Sequence, residues 1–246
     1  MIKPLTRIIA TATALALIGA SSPAFGGHTQ VKARSSQQID RASEDSVEIR
    51  LENPESIKIA HQIRSGMNKT IAGKTAKSHK DAQRIFEETY QKTKSRYSQT
   101  SDSRDLVLTL ASAAQRGYIS LYFAQKGSDT QGNFQNAYNF YGEALTLRKN
   151  FEGKQLYVKV GNLLIPIPSE TLIRERLAII YPHLMQFKTG EDRLKLVAEA
   201  VSNYGVFVPR LPEGDKRNAF GLEWAQYERI LDQNGRTRYV KPATTK

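Results

Sequence analysis

The sequence predicts a mainly α protein: helical hairpins or a bundle, with two small β-hairpins toward the C-terminus. Three observations predict it. Between residues 79 and 151, three long runs place apolar residues three and four apart, the helical period. Two β-rich runs, 156–160 and 163–167, flank Gly161-Asn162. A second Gly-Asn-type pair, Asn234-Gly235, separates residues 224–231 from 236–240, and Asn-Gly is the strongest short hairpin signal.

The chain opens on an export signal, 1–26. Lys3 and Arg7 precede an apolar core of thirteen residues, 8–20, followed by Ser21-Ser22-Pro23-Ala24-Phe25-Gly26. Cation, short apolar core and small residues are the layout of a secretory signal peptide. A membrane span needs roughly 20 apolar residues. Cleavage is expected after Ala24 or after Gly26, and the destination is the periplasm or the exterior. The chain holds no cysteine, which excludes a lipid-anchored cysteine, disulfides, thiol catalysis and cysteine zinc sites. The formal net charge is +12, and loss of Lys3 and Arg7 with the signal leaves +10. A basic surface implies anionic partners.

The elements follow in order. Residues 27–45 carry no apolar period and are expected to be a disordered arm. Residues 46–52 alternate apolar and polar through Val47, Ile49 and Leu51, a short strand. Asn53-Pro54-Glu55-Ser56 starts a helix or a turn, with proline suited to the first helical position. Residues 65–79, rich in Ser, Lys, Thr and Gly, are expected to be a flexible connection. The whole of 27–78 is thus a mostly flexible arm, and a helical domain spans 79–246. Its first helix, 79–97, puts Ala82, Ile85, Phe86, Thr89 and Tyr90 on one face. The second, 104–126, repeats Leu106, Leu110, Ala113, Ala114, Gly117, Leu121 and Ala124, small enough for close approach of a neighbour. The third, 133–151, aligns Phe134, Ala137, Tyr138, Tyr141, Ala144, Leu145 and Arg148. The hairpin 156–167 follows, with Pro166 confining its arm to a sheet edge. Ser169 caps a helix to about Phe187, which Pro182 is expected to kink or restart. Thr189, Glu191 and Asp192 open a helix to about Tyr204. A loop, the Asn-Gly hairpin and a basic tail complete the chain.

The segment Ala137-Tyr138-Asn139-Phe140-Tyr141-Gly142-Glu143-Ala144-Leu145 resembles the second helix of a tetratricopeptide repeat. Ala137, Tyr141 and Ala144 match that family's small-aromatic-small stripe, and Ala82, Phe86 and Thr89 echo it 55 residues earlier, against a family period of about 34. Leu121, Ala124, Gln125 and Ser128 stand where the family has Trp, Leu, Gly and Tyr, and Lys149 replaces its Pro. The resemblance covers 104–151. It implies helix-hairpin packing and a role in protein binding.

No catalytic, cofactor-binding or metal-binding constellation is expected. His28, His61, His79 and His183 share no i, i+3 or i, i+4 pair, and there is no phosphate loop or nucleophile elbow. His28 and His79 are expected to be solvated. Glu55-Ser56 and His183-Leu184-Met185-Gln186 are similar to two motifs of lytic transglycosylases, but stand far apart where that family keeps them close. The adjacent acids Glu87-Glu88 and Glu191-Asp192 point about 100° apart on a helix and do not converge. Tyr118, Tyr122, Tyr138 and Tyr141 form the candidate interaction surface, with Tyr157 in the same cluster.

The expected function is that of an exported, non-catalytic interaction or scaffold protein, a periplasmic adaptor or component of a bacterial envelope assembly, without cofactor. The alternative is a basic module binding cell wall or another anionic polymer, with or without peptidoglycan cleavage. The partner is an envelope protein, or an anionic wall polymer or lipid headgroup; nucleic acid is disfavoured, and no membrane span follows the signal.

Overall fold

The computed structural model describes residues 46–235 apart from Lys74. The expected export signal, the expected arm 27–45, residues 236–240 of the expected hairpin and the basic tail lie outside the described residues. Within them the protein is mainly α: seven α-helices and one three-stranded sheet. No helix there is long and apolar enough to cross a membrane. Two compact units divide the chain, residues 46–176 and 177–235 of the described part.

The first unit begins with β1 (Ser46–Arg50). Asn53 then caps α1 (Pro54–Ala72), its side chain accepting from the amides of Glu55 (2.8 Å) and Ser56 (3.4 Å) with Pro54 in the first turn. Thr75 caps α2 (Ala76–Thr100) by accepting from the amide of Ser78 at 3.2 Å. The flexible connection expected over 65–79 is therefore reduced to the break at Gly73–Thr75. Polar composition misleads here because helix α1 turns Ile59, Ala60, Ile63, Gly66 and Met67 inward and only its other face is polar.

Asp102 caps α3 (Ser103–Gln125), and Asp129 caps α4 (Thr130–Arg148). Asp105 through Gln115 are buried without interruption, so α3 is covered on every side rather than along one stripe. Helix α1 packs against α2, α3 against α4, α2 against α3 and α1 against α3. Two of these pairs, α1 with α2 and α3 with α4, approach closely at a glycine. A Cβ on Gly66 would lie 2.6 Å from Cε1 of Phe86, and a Cβ on Gly117 would lie 3.0 Å from the ring of Tyr141. Ala82, Phe86 and Thr89 line the buried face of α2 as Ala137, Tyr141 and Ala144 line that of α4. Each ring occupies the space that a side chain on the opposite helix would need.

After a 3₁₀ turn at Lys149–Phe151, β2 (Gln155–Val160) and β3 (Leu163–Pro166) form the expected antiparallel hairpin. Pro166 sits on an edge strand, as its missing donor requires. The strand β1 lies parallel to β2 on the other side, Val47 opposite Leu156 and Ile49 opposite Val158. A parallel pair needs a long crossover, and here α1–α4 supply it. Leu156, Val158 and Ile165 are buried on one face. On the other, Lys159 reaches Glu48 at 3.1 Å and Arg50 reaches it at 2.8 Å.

The helix α5 (Glu170–Met185) starts in the first unit and ends in the second. The Ser169 hydroxyl accepts from the amide of Leu172 at 3.2 Å. Pro182 lies inside the helix without a restart, and the helix ends at Met185, close to the expected end at about Phe187. The second unit continues with α6 (Gly190–Phe207), a 3₁₀ turn at Val208–Arg210, and α7 (Asp215–Gln233), which packs on α6. Tyr204 is the hub, its ring 5.5 to 5.9 Å from those of Phe207, Phe220 and Tyr227. The expected C-terminal hairpin is replaced by α7. Asn234-Gly235 ends that helix, Gly235 taking φ +68°. A left-handed glycine serves a helix terminus as readily as a hairpin turn.

The glycine contacts make a specific prediction. Gly66→Ala forces a methyl into the fully buried Phe86 ring and is expected to destabilise the protein by about 1–3 kcal/mol, as overpacking does, read as a lowered denaturation midpoint. Combining it with Phe86→Leu is expected to recover part of the loss. Equal stability of Gly66→Ala and wild type would contradict this packing.

Candidate functional site

The chemically densest region of the first unit lies where α2, α3 and α4 meet. The period of each helix brings its residues there: Glu87, Tyr90 and Lys94 from α2, Arg116 from α3, Phe140 and Glu143 from α4. The Arg116 guanidinium lies 3.7 Å from the ring centre of Phe140 and 4.3 Å from that of Tyr90, and pairs with Glu87. Burial lowers its pKa, with Glu87 opposing. Tyr90 donates to Glu143 Oε2 at 2.5 Å, and Lys94 donates to Tyr90 (2.7 Å) and to Glu143 Oε1 (2.9 Å). Burial and the Glu143 carboxylate push the Tyr90 hydroxyl up, and acceptance by Tyr90 and Glu143 raises Lys94. Both shifts hold the groups in their neutral-pH states. A nucleophile or acid needs a pKa brought toward neutrality; both shifts run away from it, and the contacts of the cluster hold α2, α3 and α4 together.

A second network ties the ends of α1, α2 and α3. Arg96 reaches Asp105 at 3.2 Å, donates to the Ser56 hydroxyl at 2.9 Å and lies 3.6 Å from Glu55. Asp105 is buried, and burial raises its carboxyl pKa against the pull of Arg96. Glu55 is exposed and pairs with Lys92 at 2.6 Å, which lowers its pKa. A transglycosylase general acid needs the opposite shift. Met185, from the other half of that resemblance, is buried.

The four tyrosines of the candidate surface do not share one environment. Tyr141 is 3% exposed and closed against Gly117, so it cannot be touched by a partner; burial pushes its hydroxyl up. Tyr118 is partly exposed, with its hydroxyl also raised by burial. Tyr122 is half-buried beneath His79, the rings 3.9 Å apart and 3° from parallel. Tyr138 is partly exposed. His79, expected to be solvated, is buried, and its Nδ1 lies 2.9 Å from the Thr75 carbonyl. Its place on the inward face of the first turn of α2 explains the difference. Glu87 and Glu88 diverge as expected, toward Arg116 and Arg84 respectively. No group of three or more His, Asp or Glu among the described residues is placed to hold a metal.

No protein-family model, curated protein or solved structure matches this chain. The site must therefore be read from its own chemistry. The sequence reading missed Arg116, because no local pattern announces that a cation on α3 will lie between rings from α2 and α4. The i, i+4 pair Tyr90/Lys94 and the i, i+3 pair Phe140/Glu143 were the available signals.

Removing Arg96 leaves Asp105 buried and unpaired. Arg96→Ala is expected to cost about 3–5 kcal/mol at neutral pH, as for other broken buried pairs. The loss should shrink as pH falls, because the raised Asp105 carboxyl takes up a proton in the folded state. Urea denaturation at acid and neutral pH checks it; equal losses at both would contradict the assignment.

Proposed function

We propose that this chain is an exported, non-catalytic interaction or scaffold protein, an adaptor or component of a bacterial envelope assembly. The observation that carries this reading is the layering of the first unit. Two glycine-closed hairpins lie side by side, α1 against α3, with α2 meeting α4 through Tyr90, Phe140 and Glu143. Stacked helix pairs of this kind build extended binding surfaces. The tetratricopeptide-like stripe belongs to this proposal. It is supported by the equivalent burial of Ala82-Phe86-Thr89 and Ala137-Tyr141-Ala144. The helices, 19 to 25 residues long, set it apart from a short-repeat array.

Charge favours an acidic partner surface. Residues 46–176 carry 20 Lys and Arg against 13 Asp and Glu, while 177–235 carry 7 against 8. Lys77 and Lys80 are exposed on the first turns of α2 and make no ion pair among the described residues. The same excess supports the second reading, an anionic wall polymer as ligand.

Mild crosslinking in the native cell, followed by purification, is expected to recover an envelope protein in constant ratio. The Lys77→Glu/Lys80→Glu variant should lose it at unchanged stability. With purified peptidoglycan, the full chain is expected to release no soluble muropeptides. Release abolished by Glu55→Gln would overturn the non-catalytic reading. Salt-sensitive sedimentation on the polymer, lost in the double lysine variant, would move the assignment to wall binding.

A further inference from the structure

Pro182 removes one donor from the ladder of α5. In an α-helix the carbonyl of residue 178 receives the N–H of residue 182, and proline has none. The Ala178 carbonyl is fully buried. The hydroxyl of Tyr204, also fully buried, lies 3.3 Å from it and supplies a replacement donor. The same hydroxyl lies 2.7 Å from Glu223 Oε2, and Tyr227 donates to Glu223 Oε1 at 3.2 Å. Tyr204 has one hydrogen and two acceptors within reach.

The protonation state of Glu223 decides which acceptor receives it. A carboxylate takes the hydrogens of both tyrosines, because bonds to a charged acceptor are the stronger ones, and the Ala178 carbonyl is left short of a donor. A neutral carboxyl donates from Oε2 to the Tyr204 oxygen, Tyr204 turns its hydrogen to Ala178, and Tyr227 still donates to Oε1. Every group is then satisfied.

We propose that Glu223, Tyr204 and the Ala178 carbonyl form a proton-controlled latch: protonation of Glu223 ties the Pro182 turn of α5 to α6 and α7, and ionisation releases it. The surroundings are consistent. Burial raises the Glu223 carboxyl pKa, against the two hydroxyls that lower it, and no cation acts on it among the described residues. From α5, Tyr181 faces Tyr204; from α6, Arg193 lies toward Tyr227. Glu223 is partly exposed, so protons reach it. Because its folded-state pKa is raised, the second unit holds more protons than the unfolded chain between the ordinary glutamate value of about 4.3 and the raised one. It loses stability as pH rises through that window. His183, in the same turn, is shifted down by burial.

The test uses the full chain, following amide exchange of residues 183–186, corrected for its intrinsic pH dependence, beside the Glu223 carboxyl signal by NMR. In the wild type, protection is expected to fall as Glu223 ionises, with the same midpoint, by about tenfold for each unit that the midpoint is raised. Glu223→Gln should be protected at all pH values, because its amide donates to Tyr204 as the neutral acid does. Pro182→Ala restores the helical donor, so protection should become insensitive to pH while Glu223 still titrates high. Tyr204→Phe should show the low, pH-insensitive protection of the released state. Wild-type pH dependence persisting in Glu223→Gln or Pro182→Ala would overturn the latch, as would a Glu223 titrating at the ordinary value.

Discussion

The first unit depends on one constraint: from Asp105 to Gln115, α3 is buried all the way round. A helix in that position cannot present a polar face to water, so every polar side chain on it needs a partner within the protein. Thr109 donates back to the Asp105 carbonyl at 2.7 Å, and Ser112 donates across to Thr89 at 3.2 Å. Asp105 takes Arg96. Small residues make the burial geometrically possible. Ala111, Ala113, Ala114 and Gly117 let neighbours approach on several sides, and Tyr141 fills the notch that Gly117 leaves. The packing of α1, α2 and α4 follows from the need to cover this helix.

Arg116 marks where that covering ends. It is the first residue after the continuous buried run, and its side chain is 13% exposed. An exposed ion pair contributes about 0–1 kcal/mol, whereas a cation over a ring contributes about 0.5–2 kcal/mol, the more so when desolvated. Arg116 has both contacts, with one ring from each hairpin. The cluster therefore acts as a seam holding α2 to α4. A group already committed to a seam is costly to redirect toward a ligand. The proposed recognition is therefore assigned to side chains outside it, among them the exposed lysines at the start of α2.

The legible part of the fold was the part written in local period. The faces of α2, α3 and α4 were readable from apolar spacing, and the β2–β3 hairpin from Gly161-Asn162 and Pro166. What was hidden depended on distant contacts. The strand β1 was readable as a strand, but its parallel partner lies more than a hundred residues away. Helix α1 looked like a linker because Gly66, a poor helix former, is there to admit Phe86. His79 looked solvated because one half-turn decides whether a residue at a helix start faces in or out. Asn234-Gly235 carried a true signal for a left-handed glycine and a false one for a second strand. Of the candidate site, the tyrosines were visible as residue types, but Tyr141 belongs to the core and the organising Arg116 had no sequence signature.

The two units differ in what the solution can do to them. The first carries the positive excess, and its attraction for an anionic surface is screened by salt over a Debye length of about 8–10 Å at physiological ionic strength. Its buried pair, Arg96 with Asp105, is screened far less. The second unit is nearly neutral by count and owes its cohesion to the rings around Tyr204, which salt leaves largely alone. Its sensitive point is the Glu223 carboxyl among those rings, on which no cation acts among the described residues and whose pKa burial raises. On the proposed readings, ionic strength acts chiefly on association through the first unit, and acidity on the internal order of the second.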